Sequence, residues 1–207
     1  MEGAWLDISV PFEGEPLPVQ AEEVGRWEAE PARASWTFQV ARQMGTFVEA
    51  PPKVELDTAD TEQLPLTATV GRARVLHLDD VDCIRADTLA AYEPREGERL
   101  LLRTRNSLRE WWKRPHDDDF VVLSEAAGRL LRERKVACVG VDYVAHGGFH
   151  AGGTLVHEEL RKAGVWVIEG LDLSEVEPGP HELVCLPLHV KGAWGSPARA
   201  LVRALRE

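Results

Sequence analysis

With 207 residues, 44% hydrophobic and 29% charged, the chain has material for one domain with a real core, and no linker divides it. A formal charge of -11 with no basic run to balance it argues against a nucleic-acid backbone as partner. No apolar run approaches the length that spans a bilayer and the acidic N-terminus carries no signal-peptide pattern, so the expectation is one soluble, cytoplasmic domain over residues 1–207, with no membrane partner.

In chain order, the N-terminal third is rich in Pro, Glu and Gly and reads as strands and loops, with a short apolar run at 36–40. Further apolar, β-branched runs lie at 73–78, 100–104, 137–141, 165–168 and 182–186, each bounded by Gly, Pro or charge, as buried strands are. Helical patterns fall between them. Asp87 is a candidate cap for a short helix through Tyr92, stopped before Pro94. Leu123, Ala126, Ala127, Leu130 and Leu131 repeat at helical spacing behind Ser124, which reads as an N-cap. The basic residues there, Arg129, Arg132, Arg134 and Lys135, read as a solvated face. Thr154 reads as the cap of a helix over 155–163, with Gly164 as its stop.

Residues 197–205 read two ways. Ser196-Pro197 suits a helix start, whereas the resemblance described below places a closing strand there, and the strand is preferred. Strand and helix alternate after residue 70, which makes the fold class α/β. Cys83, Cys138 and Cys185 are odd in number and widely spaced, which fits neither a disulfide framework nor a zinc knuckle. Cys138 and Cys185 lie in apolar runs and are expected to act as small core hydrophobes. Trp36 and Trp166, in strand-like runs, are expected in the core.

The segment Gln43-Met44-Gly45-Thr46-Phe47-Val48-Glu49-Ala50-Pro51-Pro52-Lys53 resembles the signature His-x-Gly-Thr-His-x-Asp-x-Pro-x-His of the cyclase family, which includes kynurenine formamidase. Leu6-Asp7-Ile8-Ser9 is similar to the opening strand of the same family, and Gln63-Leu64-Pro65-Leu66, the run 97–107, Gly140-Val141-Asp142, His157-x-x-Leu160, Glu169-Gly170-Leu171 and Gly195-Ser196-Pro197 are similar to its later blocks. The resemblance implies a swivelling β/β/α-type single domain, a homodimer or higher oligomer, and a metal-dependent amide hydrolase site of the arylformamidase type. There, imidazoles and carboxylates hold one or two zinc or manganese ions, whose bound water loses a proton near neutral pH and attacks an amide carbonyl.

Carried onto this chain, the ligand positions are Gln43, Phe47, Glu49, His157 and Glu169, with Lys53 at the position of the proton-shuttling histidine. Gly45, Thr46 and Pro51 match the motif, whereas most of its ligands do not. Phe47 has no lone pair, the Gln43 amide is a weak neutral ligand, and a Lys53 ammonium repels a cation. Glu49 keeps a carboxylate but adds a methylene to the aspartate of the motif. Losing one partner beyond the ligands themselves costs 10–100-fold in metal affinity, so two missing imidazoles imply a loss of roughly 10²–10⁴-fold. The expectation is no metal, or one weakly held divalent ion on Glu49, His157 and Glu169.

Three further features bear on the site. His146 and His150, in a Gly-rich segment before the helix of His157, read either as ligands from a second wall or as solvated loop residues. Lys53 reads either as a buried base or as an ion-pair partner of Glu49 or Glu169, the pairing being preferred. Trp111 and Trp112 read as an aromatic lid for a planar small molecule or as a dimer contact. Two functions follow from these readings. One is a small-molecule-binding or interaction protein that has lost hydrolysis, with catalytic positions Lys53, His157 and Glu169 now idle. The other is a working hydrolase of an amide or lactam bond with a rebuilt site.

Overall fold

The structure, a computed structural model, describes residues 3–11, 45–51, 61–114, 119–145, 147 and 151–205, with 151–154 described as backbone. One sheet closes on itself. Strand β1 (Leu6–Asp7) and strand β2 (Phe47–Glu49) follow one another along one edge of β8 (Gly195–Ala204), and β7 (Gly179–Pro187) lies along the other. From β2 the ring continues through β6 (Trp166–Glu169), β5 (Cys138–Val141), β4 (Arg99–Arg103) and β3 (Val70–His77) back to β7. The pairs β3–β4, β4–β5 and β5–β6 are parallel and the others antiparallel. Closure leaves few unpaired backbone groups at sheet edges.

The five strand-like runs from residue 73 onward fall in β3 to β7, and 195–204 is a strand, as the resemblance implied. In β8 the ladder on both edges outweighs the Pro197 signal for a helix start. The run 36–40, Trp36, Gln43, Lys53, His116, His146 and His150 lie outside the described residues. Among the described residues no helix is long and apolar enough to cross a membrane.

Alternation along each strand separates two cores. Val48, Val75, Leu101, Ile168, Leu183 and Val202 fill the ring, together with Cys138, Cys185 and Trp166. Burial pushes the Cys138 thiol up to about 12, so it is inert packing. Leu100, Leu102, Val139 and Val167 face outward against Leu131, Val156 and Leu160 of the helices α4 (Glu125–Glu133) and α5 (Ala151–Lys162). Burying each such leucine contributes about 1.5–3 kcal/mol. Gly128 lets the two helices approach: a Cβ there would lie 3.4 Å from Val156 Cγ1 and 3.5 Å from Glu159 Cβ.

Ser124 caps α4 by accepting a hydrogen bond from the Ala127 amide at 3.2 Å. Two expectations need correction. Helix α5 starts at Ala151, so Thr154 lies inside it; Gly152 and Gly153 occupy the first turn, where amides have no intrahelical acceptor and the weak propensity of glycine matters least. Gly164, at φ 69°, does stop the helix. In helix α2 (Ala86–Ala90) the N-cap is Arg85, and Asp87 sits inside the first turn, where a carboxylate suits the helix dipole. On the basic face Arg129, Arg134 and Lys135 are exposed as expected, whereas Arg132 is half-buried and reaches the buried Glu159 of α5 at 3.2 Å.

Asp142, just past β5, ties the strand ends together. Its buried carboxylate accepts from the Thr104 amide (2.7 Å) and hydroxyl (2.9 Å), from Asn106 Nδ2 (3.3 Å) and from the Ser107 amide (3.0 Å). Burial pushes this carboxyl above the usual range, while the hydrogen bonds from Thr104 and Ser107 pull the other way. Thr104 also caps the short helix α3 (Arg105–Leu108), so the loop after β4 is fixed by one side chain.

Candidate functional site

Thr46 builds the frame. Its hydroxyl accepts from the Val10 amide at 2.8 Å and donates to the Gly170 carbonyl at 2.6 Å, and its own carbonyl accepts from the Ala198 amide at 3.0 Å. Three distant segments therefore meet at one fully buried residue. Both flanking glycines are required by space. Gly45 has φ 60° and Gly170 φ 69°, and a Cβ on Gly170 would lie 2.2 Å from the Gly45 carbonyl oxygen.

From that frame β2 runs antiparallel to β6, with Phe47 opposite Glu169 and Glu49 opposite Val167. Side chains two apart leave a strand on the same face, so Phe47, Glu49, Glu169 and Val167 all face away from the ring interior, toward α5. His157 of α5 comes down on them: its Nδ1 lies 3.6 Å from Glu49 Oε1. The structure thus brings Glu49 and His157 together at a cleft between β2, β6 and α5, with Glu169 on the same face of the adjoining β6. Lys53, the other residue expected there, lies outside the described residues.

Phe47 occupies the place where the motif has an imidazole. It is buried, its ring centroid lies 5.5 Å from that of Trp194, and a Cβ on Gly195 would lie 2.2 Å from its Cε1. Beside Glu49 and His157 a half-open recess of about 50 Å³ runs toward Leu160, Arg161, Val165 and Val167.

Among the described residues no three His, Cys, Asp or Glu side chains converge closely enough to hold one. Zinc requires three or four such donors within about 2.3 Å of a common point.

A second cluster lies at the carboxyl ends of the parallel strands. Tyr143 stacks on Phe120 with centroids 4.0 Å apart and packs edge-on against Trp111 at 5.2 Å, with Trp112 5.8 Å beyond. The Tyr143 carbonyl accepts from the Gly170 amide at 2.8 Å, which sets this cluster one hydrogen bond from the turn after Glu169.

Closed ring, Thr46 frame and outward-facing cleft together define a cyclase-type domain. The family model described as Cyclase matches residues 6–146, about two thirds of the chain, and the chain belongs to that family. A kynurenine formamidase of Salinibacter ruber is 29% identical over 81% of this chain and 78% of its own length. Another, of Geobacillus thermodenitrificans, is 28% identical over 99% of this chain and 100% of its own. Among solved structures, one described as a potential metal-dependent hydrolase with cyclase activity superposes with a TM-score of 0.79 at 26% identity, covering 98% of this chain and 99% of that one.

Sequence reasoning missed Arg161 and Trp194. Arg161 was available as the residue one helical turn after His157, hence on the same face of α5. Trp194 gave no local signal, since its contact with Phe47 depends on β8 lying beside β2.

Proposed function

We propose that this protein is a member of the cyclase family that no longer carries out metal-dependent amide hydrolysis and uses the inherited cleft to bind a small molecule. The single observation that carries this reading is Phe47, a buried benzyl group held between Trp194 and Gly195 at a ligand position of the family motif. Gln43 and Lys53 at two further motif positions point the same way on chemical grounds. The aromatic cluster around Tyr143 supports a planar, aromatic ligand, since stacked and edge-on rings bind flat molecules well. In this reading the protein is a homo-oligomer, on the strength of the family resemblance, and cytoplasmic, on the sequence's lack of a spanning run or signal-peptide pattern.

A second reading keeps catalysis: a hydrolase of an amide or lactam bond with a rebuilt metal site on Glu49, His157 and Glu169. The 3.6 Å approach of His157 to Glu49 favours it, as does the cover of nearly the whole chain by kynurenine formamidases.

Turnover of N-formylkynurenine separates the two. The first reading expects no hydrolysis above the uncatalysed rate, with or without added zinc or manganese. Turnover that disappears with a chelator and in His157→Ala supports the second and overturns the first.

A further inference from the structure

Arginines that are half-buried in this structure have acceptors. Arg74 pairs with Glu98, Arg103 with Asp79, Arg105 with Asp82 and Asp119, Arg132 with Glu159 and Arg203 with Glu182, while Arg99 donates to the Arg72 and Thr67 carbonyls. That is the expected outcome in a chain with 35 acidic residues and 24 lysines and arginines. Arg161 departs from it. Among the described residues it is the half-buried arginine with neither a hydrogen bond nor an ion pair, and it stands on the wall of the recess beside Glu49 and His157. None of its nitrogens is buried, so the guanidinium on this wall is free to take an acceptor that enters the recess.

From this we infer that the recess is a docking subsite for the carboxylate of a small organic acid, with Arg161 as the group that recognises it. The inference rests on the cleft being a binding site and adds the chemical class of its ligand. Guanidinium presents a planar fork of donors that matches a carboxylate with two parallel hydrogen bonds. The recess suits an end group in size: about 50 Å³ is under two waters' share of liquid volume, roughly 30 Å³ each. Being half-open, it lets the remainder of the ligand run out along the cleft.

Leu160, Val165 and Val167 supply an apolar wall for the carbon that bears the carboxylate. Arg161 therefore acts as a specificity-determining residue, one turn of α5 away from the position that holds a metal in the family.

The probes are 4-fluorobenzoate and its neutral counterpart 4-fluorobenzamide, followed by fluorine NMR on the full chain. The acid is expected to bind the wild type at least tenfold more tightly than the amide. Arg161→Met is expected to lose at least tenfold in affinity for the acid and nothing for the amide, and Arg161→Lys to fall between, since it keeps the charge without the fork. Unchanged melting temperatures exclude misfolding of either variant as the cause.

Equal binding of acid and amide, or acid binding that survives in Arg161→Met, overturns the assignment and leaves the cleft standing as a binding site. Failure of the acid to bind the wild type overturns it as well. If metal-dependent turnover of N-formylkynurenine then appears, the non-catalytic reading falls separately.

Discussion

Phe47 and Glu169 lie directly opposite one another on the antiparallel pair of β2 and β6, so a benzyl group and a carboxylate leave the sheet side by side on the face that α5 covers. A metal shared across that pair needs a donor from each strand, and Phe47 has none to give. Restoring one is the simplest gain-of-function change. Phe47→His places an imidazole beside Glu49 and His157, and zinc affinity is expected to rise on the scale of 10–100-fold seen for single groups at metal sites. Competition with a chromophoric zinc indicator measures this. No change in affinity would mean that the missing imidazole is not what limits the site.

Gly195 and Phe47 are coupled through space. Gly195→Ala drives a methyl into the Phe47 ring and is expected to cost about 1–3 kcal/mol of stability. In a Phe47→Ala background the same change meets a cavity and costs less by about 1 kcal/mol or more. Urea unfolding of the two single variants and the double variant tests the coupling. Additive costs would show that the ring does not occupy the space above Gly195.

Thr46 holds the frame with a hydroxyl that no isostere replaces. Thr46→Val keeps the volume but strands the Val10 amide and the Gly170 carbonyl. Each buried unsatisfied group costs about 1–3 kcal/mol, so a loss of about 2–4 kcal/mol is expected in urea unfolding. A loss under about 0.5 kcal/mol would remove Thr46 from its role.

Glu159 links α5 to α4. The Lys162 ammonium bonded to it at 3.1 Å, with Arg132 and Arg129 nearby, holds its carboxyl below the usual range. The folded state therefore binds fewer protons than the unfolded one in this window. The contribution of the pair is present above the unfolded value of about 4.3 and is lost as pH falls through the lower folded value. Melting temperatures of Glu159→Gln are expected to lie below the wild type at pH 7 and to converge with it near pH 3. A constant difference across that range contradicts the linkage.

Strands β3 to β7 were legible because their β-branched apolar runs are local signals, and the resemblance located β8 where local signals conflicted. The cleft was legible in part, through Glu49 and His157, which lie 3.6 Å apart. Its contents were not. The clash of Phe47 with a Cβ on Gly195, the convergence of four donors on Asp142 and the isolation of Arg161 depend on residues tens to more than a hundred positions apart. The start of α5 was missed for a different reason: glycines in a first turn have no distinct signature in sequence, being common in loops and tolerated at helix entries.

Metal content of the purified protein tests the central claim most directly. Protein made in zinc- and manganese-supplemented medium and purified without chelator should carry far less than one equivalent of either metal per chain, and His157→Ala should carry no less than the wild type. One or more equivalents in the wild type, absent from His157→Ala, would contradict the account.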